Sequence, residues 1–123
     1  MSFTADPGMS VGHVHLKVAD LDRAIDFYQR VLGFDLVQRY GHQAAFLSAG
    51  GYQHHLGLNT CQSKGGPRPD GRATGLYHVA YLYPTRAALG RAVGRVIDEG
   101  VDLSGWAYLG VSLAVYFDDP DGN

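Results

Sequence analysis

The chain has 123 residues, room for one domain of ordinary size and too few for two. With 46% hydrophobic and 18% charged residues it reads as a soluble, globular chain, and its apolar runs are too short to span a membrane. Ten Lys plus Arg against twelve Asp plus Glu, a net charge of −2, leave no basic excess for general nucleic-acid binding.

Residues 1–8 have neither a basic start nor an apolar segment, so no secretory signal is expected and the expected location is cytoplasmic. Residues 11–18 alternate and predict a strand, with Val14, Leu16 and Val18 on one face and His13, His15 and Lys17 on the other. Asp20 is a good N-cap for a helix whose apolar stripe is Leu21, Ala24, Ile25, Tyr28, Val31 and Leu32, with Gly33 as its stop. Residues 34–40 and 43–48 read as strands around a Gly41-His42 turn. Gly50-Gly51 turns the chain again into a strand over residues 52–60. Residues 61–74, rich in Gly and Pro, read as a linker.

A second strand-then-helix unit follows. Residues 76–83 alternate as a strand, with Tyr77, Tyr81 and Tyr83 expected to pack under a helix opened by Pro84 and Thr85. That helix carries Ala88, Leu89, Ala92, Val93, Val96 and Ile97 on its stripe and stops at Gly100. Strands over residues 102–108 and 111–117 come next, and residues 118–123 are a turn. His13 and His78 hold the same place in the two units. The chain is thus one domain with a first repeat over about residues 11–60, a linker at 61–74 and a second repeat over about 75–123. The first repeat reads βαβββ, and the second is one strand short.

Six His and eight Tyr are the candidate chemistry. His54 and His55 are adjacent, so on a strand only one of them enters a pocket on a given face; an imidazole there could move a proton or ligate a metal. Gly65-Gly66-Pro67-Arg68-Pro69 lacks the residues of a phosphate loop, and Cys61, the single cysteine, has no neighbouring base and reads as inert. Arg86, Arg91 and Arg95 read as a solvated helix face.

The duplicated pattern, Gly12-His13-Val14-His15-Leu16, residues 20–24 leading to Phe27-Tyr28, Leu32-Gly33-Phe34, residues 51–60, Gly75-Leu76-Tyr77-His78 and Asp119-Pro120-Asp121-Gly122-Asn123 together resemble the vicinal oxygen chelate superfamily. That superfamily includes glyoxalase I, fosfomycin and bleomycin resistance proteins, and extradiol dioxygenases. The stretches around His54 and His78 look most like its catechol 2,3-dioxygenase-like branch. The resemblance implies an α+β fold in which two βαβββ modules form a curved mixed-sheet cup with helices outside, here with the last strand missing.

It also implies a divalent metal, Fe(II) or Mn(II), held by His13 and His78 with a Glu from the final strand, an arrangement that leaves positions open for substrate and O₂. His54 then falls at the acid–base position and Tyr116 where it can bond a catecholate oxygen. Two features depart from the pattern. Leu109 stands where the signature has His, and the Glu expected beyond Gly122 is not in the sequence. The leading expectation is therefore a ring-cleaving dioxygenase-type oxidoreductase acting on a catechol-like substrate. Its alternatives are a metal-free, drug-sequestering binder of a small aromatic ligand, and a glyoxalase- or thiol-transferase-like enzyme in which His55 is a metal ligand. An open sheet edge and the habit of the superfamily lead to a homodimer as the expected assembly.

Overall fold

The computed structural model describes residues 2–123. Strand β1 (Val14–Lys17) buries Leu16 and leaves His15 and Lys17 exposed, as its alternation predicts. Helix α1 (Leu21–Arg30) starts where the Asp20 carboxylate accepts from the Arg23 N–H at 3.0 Å, satisfying one free donor of the first turn. Its Leu21, Ala24, Ile25, Phe27 and Tyr28 are buried. Gly33, at φ +74°, turns the chain out of the helix, a backbone conformation that a side chain disfavours.

Three strands follow: β2 (Asp35–Tyr40), β3 (Ala44–Ser48) and β4 (Leu56–Asn59). They complete a mixed sheet in the order β1-β4-β3-β2. β4 runs parallel to β1, pairing Leu56 with Val14 and Asn59 with Lys17, and antiparallel to β3. Leu56, Leu58, Ala45 and Leu47 are fully buried in the same apolar core as the inward face of α1. Each leucine so buried contributes about 1.5–3 kcal/mol.

The second half is less regular. Helix α2 (Arg86–Asp98) is capped by the Thr85 hydroxyl accepting from the Ala88 N–H at 3.0 Å. Strands β5 (Leu103–Tyr108) and β6 (Leu113–Phe117) form a separate two-stranded antiparallel sheet. The α+β class with two external helices and a curved mixed sheet therefore holds, the strands lying in two open sheets.

Three expectations are corrected. Residues 76–83 form no strand. They keep a strand's side-to-side alternation, with Val79, Tyr81 and Tyr83 half-buried and His78, Ala80 and Leu82 exposed. A strand, however, needs a ladder, and β1 obtains its own only from β4. The second unit, within these residues, has no counterpart of β4. For the same reason α2 buries only Val96, and Ile97, expected on the inner stripe, is 55% exposed. Of the three tyrosines expected beneath the helix, Tyr77 lies in the open.

The halves are joined by buried polar contacts as well as apolar ones. Tyr28 donates to the Asp119 carboxylate at 2.7 Å, and Asp121 accepts from the Ala19 N–H at 3.1 Å and from Arg23 at 3.0 Å. Phe34 packs edge-on to Tyr81, with ring centroids 5.6 Å apart. Arg30 pairs with Glu99 at 2.7 Å, and Arg95 donates to the Arg30 carbonyl at 2.8 Å. Arg95 is thus engaged, and the Arg86 guanidinium lies 5.4 Å from the Tyr108 ring. Arg86, Arg91 and Arg95 are all exposed, as a solvated face requires, and Arg86 and Arg95 make these contacts besides.

Candidate functional site

The outward face of β1 sets out a cluster of imidazoles. The ring of His54 lies 4.4 Å from that of His13 and 4.9 Å from that of Phe46. His15 meets Phe46 edge-on at 6.0 Å. It also lies over Gly57, its register partner, so closely that a Cβ there would stand 2.6 Å from the His15 Nδ1. A glycine at position 57 is what admits this imidazole to the sheet face. His15 is exposed at the surface, but partial desolvation of its ring first, and then the neighbouring His13 and His54, hold it below the ordinary imidazole pKa, because each disfavours a further positive charge.

His55 is turned elsewhere. Its ring lies 4.6 Å from that of Tyr52 and 6.3 Å from that of Phe34, a core residue. Its Nδ1 accepts from the Ala49 N–H at 3.1 Å, and Ser48 Oγ stands 3.3 Å away. A neutral imidazole that accepts at Nδ1 carries its proton on Nε2, so in this geometry His55 offers a donor and no lone pair. Alternation carried back from the buried Leu56 and Leu58 would put His55 on the Gly57 side; residues 52–55 are bent before β4 begins, and His54 takes that side instead.

In the second half, His78 and Tyr116 are neighbours, with ring centroids 6.1 Å apart. The five candidate residues therefore fall into two pairs, His13 with His54 and His78 with Tyr116, while His55 stands apart. Phe46, which touches both His15 and His54, was not singled out from the sequence. The alternation of β3, with Ala45 and Leu47 buried and Phe46 between them, is the signal that places it on the histidine face.

The acidic turn at the end of the chain is structural. Asp119 is 4% exposed and accepts from Tyr28, from the backbone N–H groups of Asp121 and Asn123, and from the Asn123 amide. Asp121 Oδ1 accepts from the Ala19 N–H and from Arg23, while its buried Oδ2 has no hydrogen-bond partner. Burial, and then the charge of Asp119, raise the pKa of Tyr28 far above the ordinary phenol range. The same causes push Tyr81 up to about 12.

Residues 10–123 match the model of the Glyoxalase/Bleomycin resistance protein/Dioxygenase superfamily, and the chain belongs to that superfamily. It is similar to a catechol-2,3-dioxygenase of Bacillus subtilis (strain 168), being 42% identical over 94 residues, which cover 76% of this chain and 33% of that protein. It thus spans about a third of that relative's length. A lactoylglutathione lyase of Haemophilus influenzae is 29% identical, with 93% of this chain and 87% of that protein covered. Among solved structures, a lactoylglutathione lyase from Agrobacterium tumefaciens superposes with a TM-score of 0.73 at 25% identity, covering 96% of this chain and 91% of that one.

A divalent metal is expected in such a fold, and the donor set can be tested against it. Among the described residues no group of three or more His, Cys, Asp or Glu is placed to hold a metal ion. Asp119 is taken up by Tyr28, Asn123 and backbone N–H groups and Asp121 Oδ1 by Ala19 and Arg23; the buried Asp121 Oδ2 is left without a partner, but no second and third donor is grouped with it among the described residues. His13 and His78 are two imidazoles without the carboxylate that a two-His-one-carboxylate centre requires. The described residues do not complete that centre.

Proposed function

We propose that this chain is a small-molecule-binding member of the catechol dioxygenase-like branch, with an aromatic diol of the catechol class as its ligand. The ligand lies between the two pairs of side chains: His13 with His54 from the first unit, His78 with Tyr116 from the second. His54 accepts a proton from a ligand hydroxyl, and the Tyr116 hydroxyl donates to a ligand oxygen. Phe46 supplies an apolar face for the ring. His13 and His78 are the imidazoles that would face an Fe(II) or Mn(II) ion, and ring opening is not assigned to these residues without a third ligand. The observation carrying this reading is the His13–His54 contact at 4.4 Å, with His55 turned away toward Tyr52 and Phe34, in a chain 42% identical to a catechol-2,3-dioxygenase over 94 residues.

A lyase-type arrangement that uses His55 as a metal ligand has the lactoylglutathione lyase relatives in its favour. The Ala49 N–H bound at the His55 Nδ1 stands against it. Calorimetric titration with catechol, and separately with Mn(II), tests both readings. Catechol is expected to bind, with His54→Ala and Tyr116→Phe each weakening it about five- to tenfold, the loss of roughly one hydrogen bond. His55→Ala should leave ligand affinity unchanged. Failure of catechol to bind refutes the proposal. Stoichiometric Mn(II) uptake abolished by His13→Ala or His78→Ala would establish a metal centre. Loss of Mn(II) in His55→Ala would instead favour the lyase arrangement.

A further inference from the structure

On the histidine-bearing face of the first sheet, the register lays the side chains out in rows that cross the strands. His15, Gly57, Phe46 and Gln38 form one row, and Lys17, Asn59, Ala44 and Tyr40 form the next. The first row carries an aromatic floor. Phe46 meets His15 edge-on at 6.0 Å, Tyr40 edge-on at 5.7 Å and the tilted ring of His54 at 4.9 Å. The second row lies two residues further along the strands, roughly 7 Å away, on the side opposite to His13 and His54.

That second row is made of donors. Lys17 is exposed and forms no ion pair among the described residues. The Asn59 carboxamide oxygen accepts from the Cys61 N–H at 3.0 Å, which commits the oxygen and leaves the NH₂ group as a donor. Beyond Asn59 stands Ala44, whose methyl leaves the space above the row open, and then the exposed Tyr40 with its hydroxyl. Asp35, the carboxylate that the register sets on this face, stands opposite Ser48 at the far end of β2. An anion at the second row therefore meets a positive charge and an amide donor, with no carboxylate beside it.

We propose that the ligand is an aromatic diol that also carries a carboxylate, on a short arm opposite its hydroxyls, and that Lys17 and Asn59 select for it. This inference rests on the reading of the same face as a catechol-binding surface. With the ring on Phe46 and the hydroxyls toward His54, the arm runs along β1 to the second row. Lys17 and Asn59 are register partners on the parallel strands β1 and β4, so one carboxylate can take both donors. A diol without the arm leaves the two donors in water, where they stay solvated. Catechol itself still binds, and the second row decides between it and its carboxylated relatives.

Calorimetric titration with 3,4-dihydroxyphenylacetate, its methyl ester and catechol at neutral pH tests this. The ester keeps the ring, the hydroxyls and the arm and lacks the charge. The acid should bind about tenfold more tightly than the ester, and raised salt should shrink the difference. Lys17→Met should remove the difference and leave the affinity for the ester unchanged, which also shows that the variant is folded. Lys17→Arg should restore it. Asn59→Asp keeps an acceptor for the Cys61 N–H but exchanges the donor for a negative charge. It should weaken the acid by about tenfold and the ester hardly at all. His54→Ala should weaken all three ligands alike. Equal affinity for acid and ester, or an advantage of the acid that survives Lys17→Met, overturns this inference and leaves the catechol reading standing. Failure of all three to bind refutes that reading and this inference with it.

Discussion

Replacing Tyr28 by Phe removes one hydroxyl from a buried contact and leaves the ring to fill its own space. Tyr28 is 3% exposed and Asp119 4%, and the hydroxyl donates to the carboxylate at 2.7 Å. A hydrogen bond to a charged group contributes about 1.5–3 kcal/mol. The Asp119 carboxylate is not stranded by the change. Its Oδ2 keeps the Asn123 amide at 3.1 Å, and its Oδ1 keeps the N–H groups of Asp121 and Asn123 at 2.8 and 2.9 Å. The loss therefore belongs in the middle of that range, about 2 kcal/mol. With a urea m-value in the usual span of about 1–3 kcal/mol/M, the unfolding midpoint at neutral pH should fall by roughly 1 M with m unchanged. Asp119→Asn in the same background completes a double-mutant cycle whose coupling should exceed about 1 kcal/mol. A midpoint shift below about 0.3 M, or a coupling near zero, would refute the claim that this contact anchors the final turn to α1.

Alkaline pH should destabilise the protein. Burial, and then the Asp119 charge, raise Tyr81 from 10.0 to about 12, so between those values the unfolded chain binds fewer protons than the folded one. Stability is whole below pH 10 and falls as pH rises through 12, by roughly 3 kcal/mol for this group, as denaturation midpoints across that range would show. Tyr81→Phe, which also removes a buried hydroxyl without a partner, should flatten that decline and raise stability near neutrality by about 1 kcal/mol in urea unfolding. Gly57→Ala brings a methyl within 2.6 Å of the His15 Nδ1. It should cost about 1–3 kcal/mol and shift the His15 imidazole resonances in NMR while leaving those of His78 in place. Glu99→Gln weakens ion pairs to the half-exposed Arg30 and Arg95 and should change the melting free energy by less than about 1 kcal/mol, measured by calorimetry.

The first unit was readable because each element carries its own local signature. β1 shows alternation, α1 a cap and a 3.6-residue stripe, and the turn at Gly33 a glycine whose φ is indeed positive. Residues 76–83 show the same alternation, yet a strand also depends on a partner that no local pattern reveals. The sidedness of His54 and His55 was left open for a related reason: period-two reasoning holds only along a regular strand, and these residues sit in a bend. The pairing of His13 with His54 depends on β1 and β4 lying side by side, a parallel contact between segments that a helix and two strands separate. From the sequence, Asp119 and Asp121 read only as members of a turn. They are buried because their donors arrive from positions 91 and 102 residues away, at Tyr28 and Ala19.

Apart from Val96, every apolar side chain buried in the core belongs to residues 16–58. The two halves of the molecule are consequently unequal in cooperativity. During synthesis the first sheet and α1 can close around one another before α2 has left the ribosome, and the later residues then condense onto a finished surface through Tyr28, Arg23 and Arg30. In the folded protein the order runs backwards: the later half is the unit that opens first and at the least cost in free energy, while the histidine-bearing face of β1 rests on the part that opens last.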